Sequence, residues 1–110
     1  MAPWAGRVRN GRFRFAGSDY TLPLRMPPHA IHGTVLDRAW ERLSDDSLRI
    51  ELGIDWPWRG FARQVFELSD TSLKMRLEVH SESGIFPASV GWHPWSRRQL
   101  ERGSDLAVVW

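Results

Sequence analysis

Three stretches of the chain alternate apolar with charged residues at a period of two. They are Arg12 to Phe15, residues 48–52 and residues 73–79. This pattern is typical of strands with one buried face and one hydrated face, and such strands indicate antiparallel sheet. Because no stretch keeps a helical period over about 11 residues, we predict an all-β protein.

Short polar segments separate the predicted strands. Ser44-Asp45-Asp46-Ser47 divides residues 40–43 from 48–52, and Ser69-Asp70-Thr71-Ser72 divides residues 64–68 from 73–79. Asp and Ser favour tight turns, so each division predicts a hairpin. Asn10-Gly11 and Gly17-Ser18 predict turns on either side of the first strand.

Three connections are too long, and too rich in proline, histidine and tryptophan, to be simple turns: residues 24–33, 55–60 and 84–98. Functional residues often lie on such loops.

The two ends of the chain predict an incomplete architecture. Residues 106–110 form an apolar, strand-like run that stops at the last residue, and little sequence precedes the first strand at Arg7-Val8-Arg9. We therefore expect residues 1–110 to be one partial domain. We also expect its strand edges to allow self-association and its stability to be marginal.

The composition excludes several classes of protein. Hydrophobic residues make up 42% of the 110 residues and charged residues 25%, which predicts a globular domain. No apolar run reaches the roughly 20 residues of a membrane helix, and the start shows no export signal. The absence of cysteine excludes disulfides and thiolate metal sites. We expect a cytoplasmic protein without a membrane partner.

The charge of the chain does not favour a nucleic-acid partner. Fifteen basic residues face 13 acidic ones, and they are scattered, so the net charge attracts a polyanion only weakly. The alternating aromatic residues fall on the predicted core face, which leaves no platform for stacked bases. The seven tryptophans suit either a ligand cleft or, more commonly, packing of loops on sheet.

Two histidines in aromatic-rich loops are the strongest chemical candidates. His32 precedes Gly33, and His93 lies in Gly91-Trp92-His93-Pro94-Trp95. Imidazole exchanges protons near neutral pH, although a single histidine in a loop more often serves only as a hydrogen-bonding cap. His29 and His32 lack the further ligands of a metal site, and His80 is predicted to be exposed on its strand. We expect no metal site.

Arginines alternate along the first strand and its approach at Arg7, Arg9, Arg12 and Arg14. A hydrated strand face explains them most simply. A guanidinium in a cleft, however, is also a good fixed donor for sugar hydroxyls.

Three segments in this order resemble the signatures of the aldose 1-epimerase (galactose mutarotase) family: residues 3–13, Ile31-His32-Gly33 and Gly91-Trp92-His93-Pro94-Trp95. The resemblance implies a large antiparallel β-sandwich, of which this chain is an N-terminal to central portion. It implies an enzyme of the isomerase class whose cleft binds a hexose such as galactose or glucose. The enzyme interconverts the α and β anomers without a metal or organic cofactor.

The resemblance also implies roles for particular residues. Arg7 matches an arginine that binds sugar hydroxyls, His32 a histidine that positions the ring, and His93 the general acid. Trp92 and Trp95 match cleft walls. Gly6 replaces the usual asparagine and Ser96 a usual aromatic residue, which weakens the assignment of Arg7 most.

The family's glutamate base lies downstream of the segment that matches His93, and we find no counterpart for it in this sequence. We therefore expect this chain to be inactive alone. Two alternatives stay open: a sugar-binding module without catalysis, and a relative acting on hexose 6-phosphates, whose phosphate arginines would bind.

Overall fold

The structure, a computed structural model, describes residues 1–99, 101–103 and 105–107. Within these ranges the chain forms eight strands and one short helical turn, Arg9–Gly11. The strands are β1 (Arg7–Val8), β2 (Arg12–Phe15), β3 (Ser18–Thr21), β4 (Ala30–Ile31), β5 (Glu41–Ser44), β6 (Ser47–Glu51), β7 (Gly60–Leu68) and β8 (Leu73–Ser81).

The strands pair into three antiparallel sheets. β1 pairs with β4, β2 pairs with β3, and β5 to β8 form a four-stranded sheet in chain order. The prediction of an all-β, antiparallel fold is confirmed. The part of the chain that the structure describes has no helix long and apolar enough to cross a membrane.

Both predicted hairpins are present. Ser44 pairs with Ser47 across the first turn. At the second turn, the Ser72 amide donates a hydrogen bond to the Ser69 hydroxyl at 3.0 Å, so this backbone donor of the turn has a partner within the turn itself. β7 begins at Gly60, four residues before the predicted start at Gln64. The charged Arg63 interrupts the apolar pattern of the sequence, but it still pairs with Arg49 of β6.

Aromatic rings from three loops and one hairpin make the core. Trp4 stacks on Trp56 with 5.6 Å between the ring centroids. Phe13 of β2 also stacks on Trp56, at 5.9 Å. Trp58 lies against Tyr20 of β3 at 4.6 Å. These tryptophans therefore have the commoner of the two predicted uses, which is to pack loops and hairpin against the four-stranded sheet.

The apolar face of the four-stranded sheet is buried only at one end. Ile50, Ala62 and the half-buried Val79 contact the aromatic core. At the other end Leu73 of β8 keeps 55% of its surface exposed and Met75 38%. The prediction that this face is buried along the whole length of β8 is therefore wrong. Within the described chain the aromatic core reaches the end with Ile50, Ala62 and Val79, whereas Leu73 and Met75 keep much of their surface exposed.

The first residues of the chain are more structured than expected. Ala2 forms a parallel bridge with Gly33, and the Thr34 amide donates to the Ala2 carbonyl at 3.0 Å. On the opposite side, the Ser89 amide donates to the Pro3 carbonyl at 2.9 Å. Residues 1–3 thus lie between the two loops that carry His32 and His93.

The predicted C-terminal strand is not seen where the structure describes it. Leu106 and Ala107 belong to no strand, although the Leu106 amide donates to the Arg98 carbonyl at 2.8 Å. The rest of the prediction, residues 108–110, lies outside the described ranges.

Candidate functional site

His32 is held by hydrogen bonds to Gly6, directly before β1. It follows the last residue of β4 and adopts a φ of 58°, which turns the chain sharply out of the strand. The His32 amide donates to the Gly6 carbonyl at 3.0 Å, and the Gly6 amide donates to His32 Nδ1 at 3.2 Å. Gly6 has a φ of 72°, in the region that favours glycine. Gly6 is thus bonded to His32 in both directions.

The bond from Gly6 determines the tautomer of the neutral His32 ring. Because Nδ1 accepts the amide hydrogen, the proton of the neutral imidazole lies on Nε2. Burial lowers the pKa of His32 below its ordinary value, and the nearby charges of His93, the amino terminus and Arg7 lower it further. His32 is therefore a neutral Nε2–H donor at neutral pH.

His93 lies beside His32 although 60 residues separate them in sequence. The two ring centroids are 5.8 Å apart and the rings meet edge to face at 77°. The ring of Trp95 stacks on the ring of His93, with 5.7 Å between the centroids, and Trp95 is 90% exposed. Two of the predicted site histidines and one predicted wall residue thus come together at an open surface.

The first residues of the chain hold these two loops together. The Thr34 amide, two residues after His32, donates to the Ala2 carbonyl. The Gly91 amide, two residues before His93, donates to the Met1 carbonyl. A Cβ atom on Gly33 would lie 1.8 Å from the Ala2 carbonyl oxygen, so glycine is needed for this close approach. The histidine pair therefore depends on a backbone clamp that the sequence pattern did not reveal.

Arg7 is exposed on β1, and a second histidine flanks that strand. The Asn10 amide donates to His29 Nδ1 at 3.3 Å, so His29 holds one end of β1 as His32 holds the other. The Arg7 guanidinium donates to Met26 Sδ at 3.6 Å, and Met26 pairs with His29. The sequence pattern did not predict this role of His29. The one hint of this role in the sequence is that His29 and His32 are three residues apart, a spacing that lets them bond to Gly6 and Asn10, which flank the neighbouring strand.

Trp92 contacts a different part of the molecule. Its ring lies 6.4 Å from Phe66 of β7, on the apolar face of the four-stranded sheet. Trp92 and Trp95 thus extend to different neighbours from the two sides of His93.

An apolar cavity lies apart from the histidine pair. It has a volume of about 220 Å³ and contains none of the predicted site residues. It is lined by Trp4, Val8, Phe13, Leu22, Trp56, Pro87, Ala88 and Ser89. It is therefore part of the aromatic core region rather than a cleft above the histidines.

Carboxylates do not contact the histidine pair in the part of the chain that the structure describes. Two acidic residues that follow His93 in the sequence form ion pairs with arginines: Glu101 lies 3.8 Å from Arg97, and Asp105 lies 3.7 Å from Arg98. The described residues also contain no cluster of three or more His, Asp or Glu side chains suited to hold a metal ion. What the site offers is two imidazoles, an exposed indole and a neighbouring guanidinium.

The fold and the site together define an all-β protein in which two loops, joined by the first residues of the chain, bring two histidines together. The family model described as aldose 1-epimerase matches residues 1–99 of this chain. The chain belongs to the aldose 1-epimerase family. No curated protein and no solved structure gave a match.

Proposed function

We propose that this protein is a mutarotase component that interconverts the α and β anomers of a hexose through acid–base ring opening. The observation that carries the proposal is the meeting of His32 and His93 at an open surface, in a chain of the aldose 1-epimerase family. The substrate is a small sugar, and no step needs a cofactor.

In the proposed mechanism the two histidines have different tasks. His32, neutral with its proton on Nε2, donates a hydrogen bond that orients the sugar ring. His93 protonates the ring oxygen as the anomeric hydroxyl loses its proton, and the open aldehyde then rotates and recloses. Positive charge on His93 disfavours a second proton on His32, which keeps the two tasks distinct.

Arg7 and Trp95 supply binding in this proposal. Arg7 donates to sugar hydroxyls from a strand whose two ends are bonded to His32 and His29. Trp95 offers an apolar ring face beside His93, on which the C–H groups of a sugar can pack. Trp92 forms the wall on the side of β7.

The reaction also needs a base that removes the anomeric proton. Within the described residues, no side chain bonded to His32 or His93 could act as that base. We therefore propose that the 110-residue chain is catalytically defective by itself. General acid catalysis without its paired base loses a factor of order 10² or more.

Chemical rescue tests this proposal directly. Mutarotation of α-glucose and α-galactose is followed by polarimetry with the 110-residue chain, with and without acetate as an external base. We expect little activity alone and an acetate-dependent gain above the acetate-only rate. The gain should be absent in His93→Asn and reduced in Arg7→Ala, with Arg14→Ala as the control arginine. No gain at any acetate concentration, despite sugar binding, would refute the catalytic role.

A sugar-binding module without catalysis is the second candidate, favoured by the absence of a carboxylate from the described contacts of the pair. Titration with glucose and galactose, read by tryptophan fluorescence, tests it. Saturation at millimolar sugar that is lost in Trp95→Ala, combined with no acetate rescue, supports this candidate. No saturable change in the wild-type chain counts against both candidates.

A hexose 6-phosphate is the third candidate, as a substrate, because Arg7, Arg9 and Arg12 form no salt bridge within the described residues. Comparing glucose with glucose 6-phosphate in the same titration separates the two. Tighter binding of the phosphorylated sugar that weakens in Arg9→Ala would favour the phosphate.

A further inference from the structure

β8 has a free edge with a regular pattern of unpaired backbone groups. It is the last strand of the four-stranded sheet and pairs with β7 over all nine of its residues. The Glu82 amide donates to the Arg59 carbonyl and the Ser69 amide to the Ser72 carbonyl, just beyond the two ends of this pairing. These bonds fix the alternation of hydrogen-bonded pairs along the strand.

That alternation points the backbone groups of the odd-numbered residues of β8 away from β7. The even-numbered residues Lys74, Arg76, Glu78 and His80 exchange their backbone bonds with β7. The outward amides and carbonyls belong to Leu73, Met75, Leu77, Val79 and Ser81. In the described part of the chain, no backbone group is bonded to them.

We propose that β8 is a dimerisation edge, on which β8 of a second copy of this chain pairs antiparallel about a two-fold axis at Leu77. In this register each outward group meets its equivalent, and all nine residues are paired. Arg76 then lies opposite Glu78 of the second copy, and Glu78 opposite its Arg76. Both pairs occupy non-hydrogen-bonded positions, where opposing side chains approach most closely.

Charge complementarity selects this register over its neighbours. Centring the pairing on Arg76 or on Glu78 places two like charges directly opposite each other, and centring it on Met75 opposes Lys74 to Arg76. Centring it on Val79 leaves only residues 77–81 of the strand in contact. Pairing about Leu77 alone combines the full strand length with attractive charges.

The other edge of the sheet is less suited to pairing. β5 has only four residues and its register shifts between Arg42 and Ser44. Short and irregular edges hinder strand addition. Within the described residues the four-stranded sheet thus has one regular edge, and pairing through that edge alone predicts a closed dimer rather than an open fibre.

The dimer would also join the apolar faces of two sheets. Leu73 and Met75 are exposed beside the half-buried Leu77 on the same face of β8. In the proposed register Met75 lies opposite Val79 of the second copy, so the exposed end of each face meets the better-buried end of the other. Apolar contact thus adds to the backbone bonds.

Sedimentation equilibrium of the 110-residue chain and three variants tests the proposal. The wild-type chain should form a dimer. Arg76→Glu places Glu opposite Glu78 twice per dimer and should weaken association about tenfold or more. Lys74→Glu changes the net charge equally but faces His80, so it should leave the dimer intact.

The double variant Arg76→Glu/Glu78→Arg restores opposite charges and should recover dimerisation. Circular dichroism checks that each variant keeps its sheet, since residue 78 also faces Arg63 of β7. A wild-type chain that is monomeric at about 100 μM, where a Kd in the micromolar range gives mainly dimer, overturns the proposal. Equal effects of Arg76→Glu and Lys74→Glu overturn the register.

Discussion

Gly33 shows how one residue brings the histidine loops together. The Ala2 backbone crosses it so closely that a Cβ atom would overlap the Ala2 carbonyl, and its φ is 86°. Any other residue must move the first residues of the chain away, and these residues also bond to the loop that carries His93. The cost of a side chain at Gly33 is therefore paid both in stability and in the geometry of the site.

We predict that Gly33→Ala destabilises the chain by roughly 3 kcal/mol or more, because strain and overlap act together. Gly17→Ala is the control, since Gly17 has a similar φ of 83° but open space around its Cβ position. That control should cost only about 1–2 kcal/mol. Urea unfolding measures both, and equal losses would show that the contact with Ala2 is unimportant.

His32 gives a prediction for pH. Burial, followed by the charges around it, lowers its pKa in the folded chain, so the unfolded chain binds more protons at pH values between the lowered pKa and about 6.5. The stability contributed by neutral His32 is therefore fully present above about pH 6.5 and is lost as the pH falls through the lowered pKa. Protonation also removes the acceptor for the Gly6 amide.

NMR titration measures this effect. The His32 ring resonance should titrate with a midpoint below 6.5, and the Gly6 amide resonance should shift with the same midpoint. In His32→Asn, whose side-chain oxygen can accept the Gly6 amide without titrating, the Gly6 shift should disappear. A His32 midpoint above 6.5 would contradict the arrangement.

At the level of elements, the aromatic layer joins the β2–β3 hairpin to the four-stranded sheet. Trp4 and Trp56 are only 7% and 6% exposed, and within the described residues neither indole nitrogen has a hydrogen-bond partner. The layer therefore stabilises the fold through ring area and stacking rather than through polar contacts.

We predict that Trp56→Ala costs about 3–5 kcal/mol, because it removes a buried ring from the centre of this layer. Trp56→Phe should cost much less, since it keeps a ring and removes an unsatisfied buried donor. Trp95→Ala, at an exposed ring, should change the midpoint of urea unfolding little. Similar losses for Trp56→Ala and Trp95→Ala would contradict the assigned core.

The elements differed in how well the sequence predicted them. Strands β2, β6 and β8 and both hairpins follow from alternation and turn residues, because those signals are local. The bridge from Ala2 to Gly33 and the role of His29 could not be predicted, since they depend on contacts between distant segments. The pattern along β8 predicted which face is apolar, but it could not show that only half of that face is covered.

For the whole molecule, the proposed pairing of β8 makes stability depend on concentration. Binding of a second copy only to the folded chain raises the thermal midpoint as the chain concentration increases. We predict such a rise for the wild-type chain over a hundredfold range of concentration and a much smaller one for Arg76→Glu. Scanning calorimetry measures both, and a midpoint independent of concentration in the wild-type chain would contradict pairing.

The bonds from residues 1–3 to the loops of His32 and His93 also have a consequence for folding kinetics. The β5–β8 sheet is built from neighbours in sequence and can form early, whereas the contacts of Met1 with Gly91 close about 90 residues of chain. We expect the histidine pair to assemble last. In stopped-flow refolding, Gly33→Ala should then speed unfolding and leave the folding rate nearly unchanged. A slowed folding rate would place the clamp in the nucleus instead.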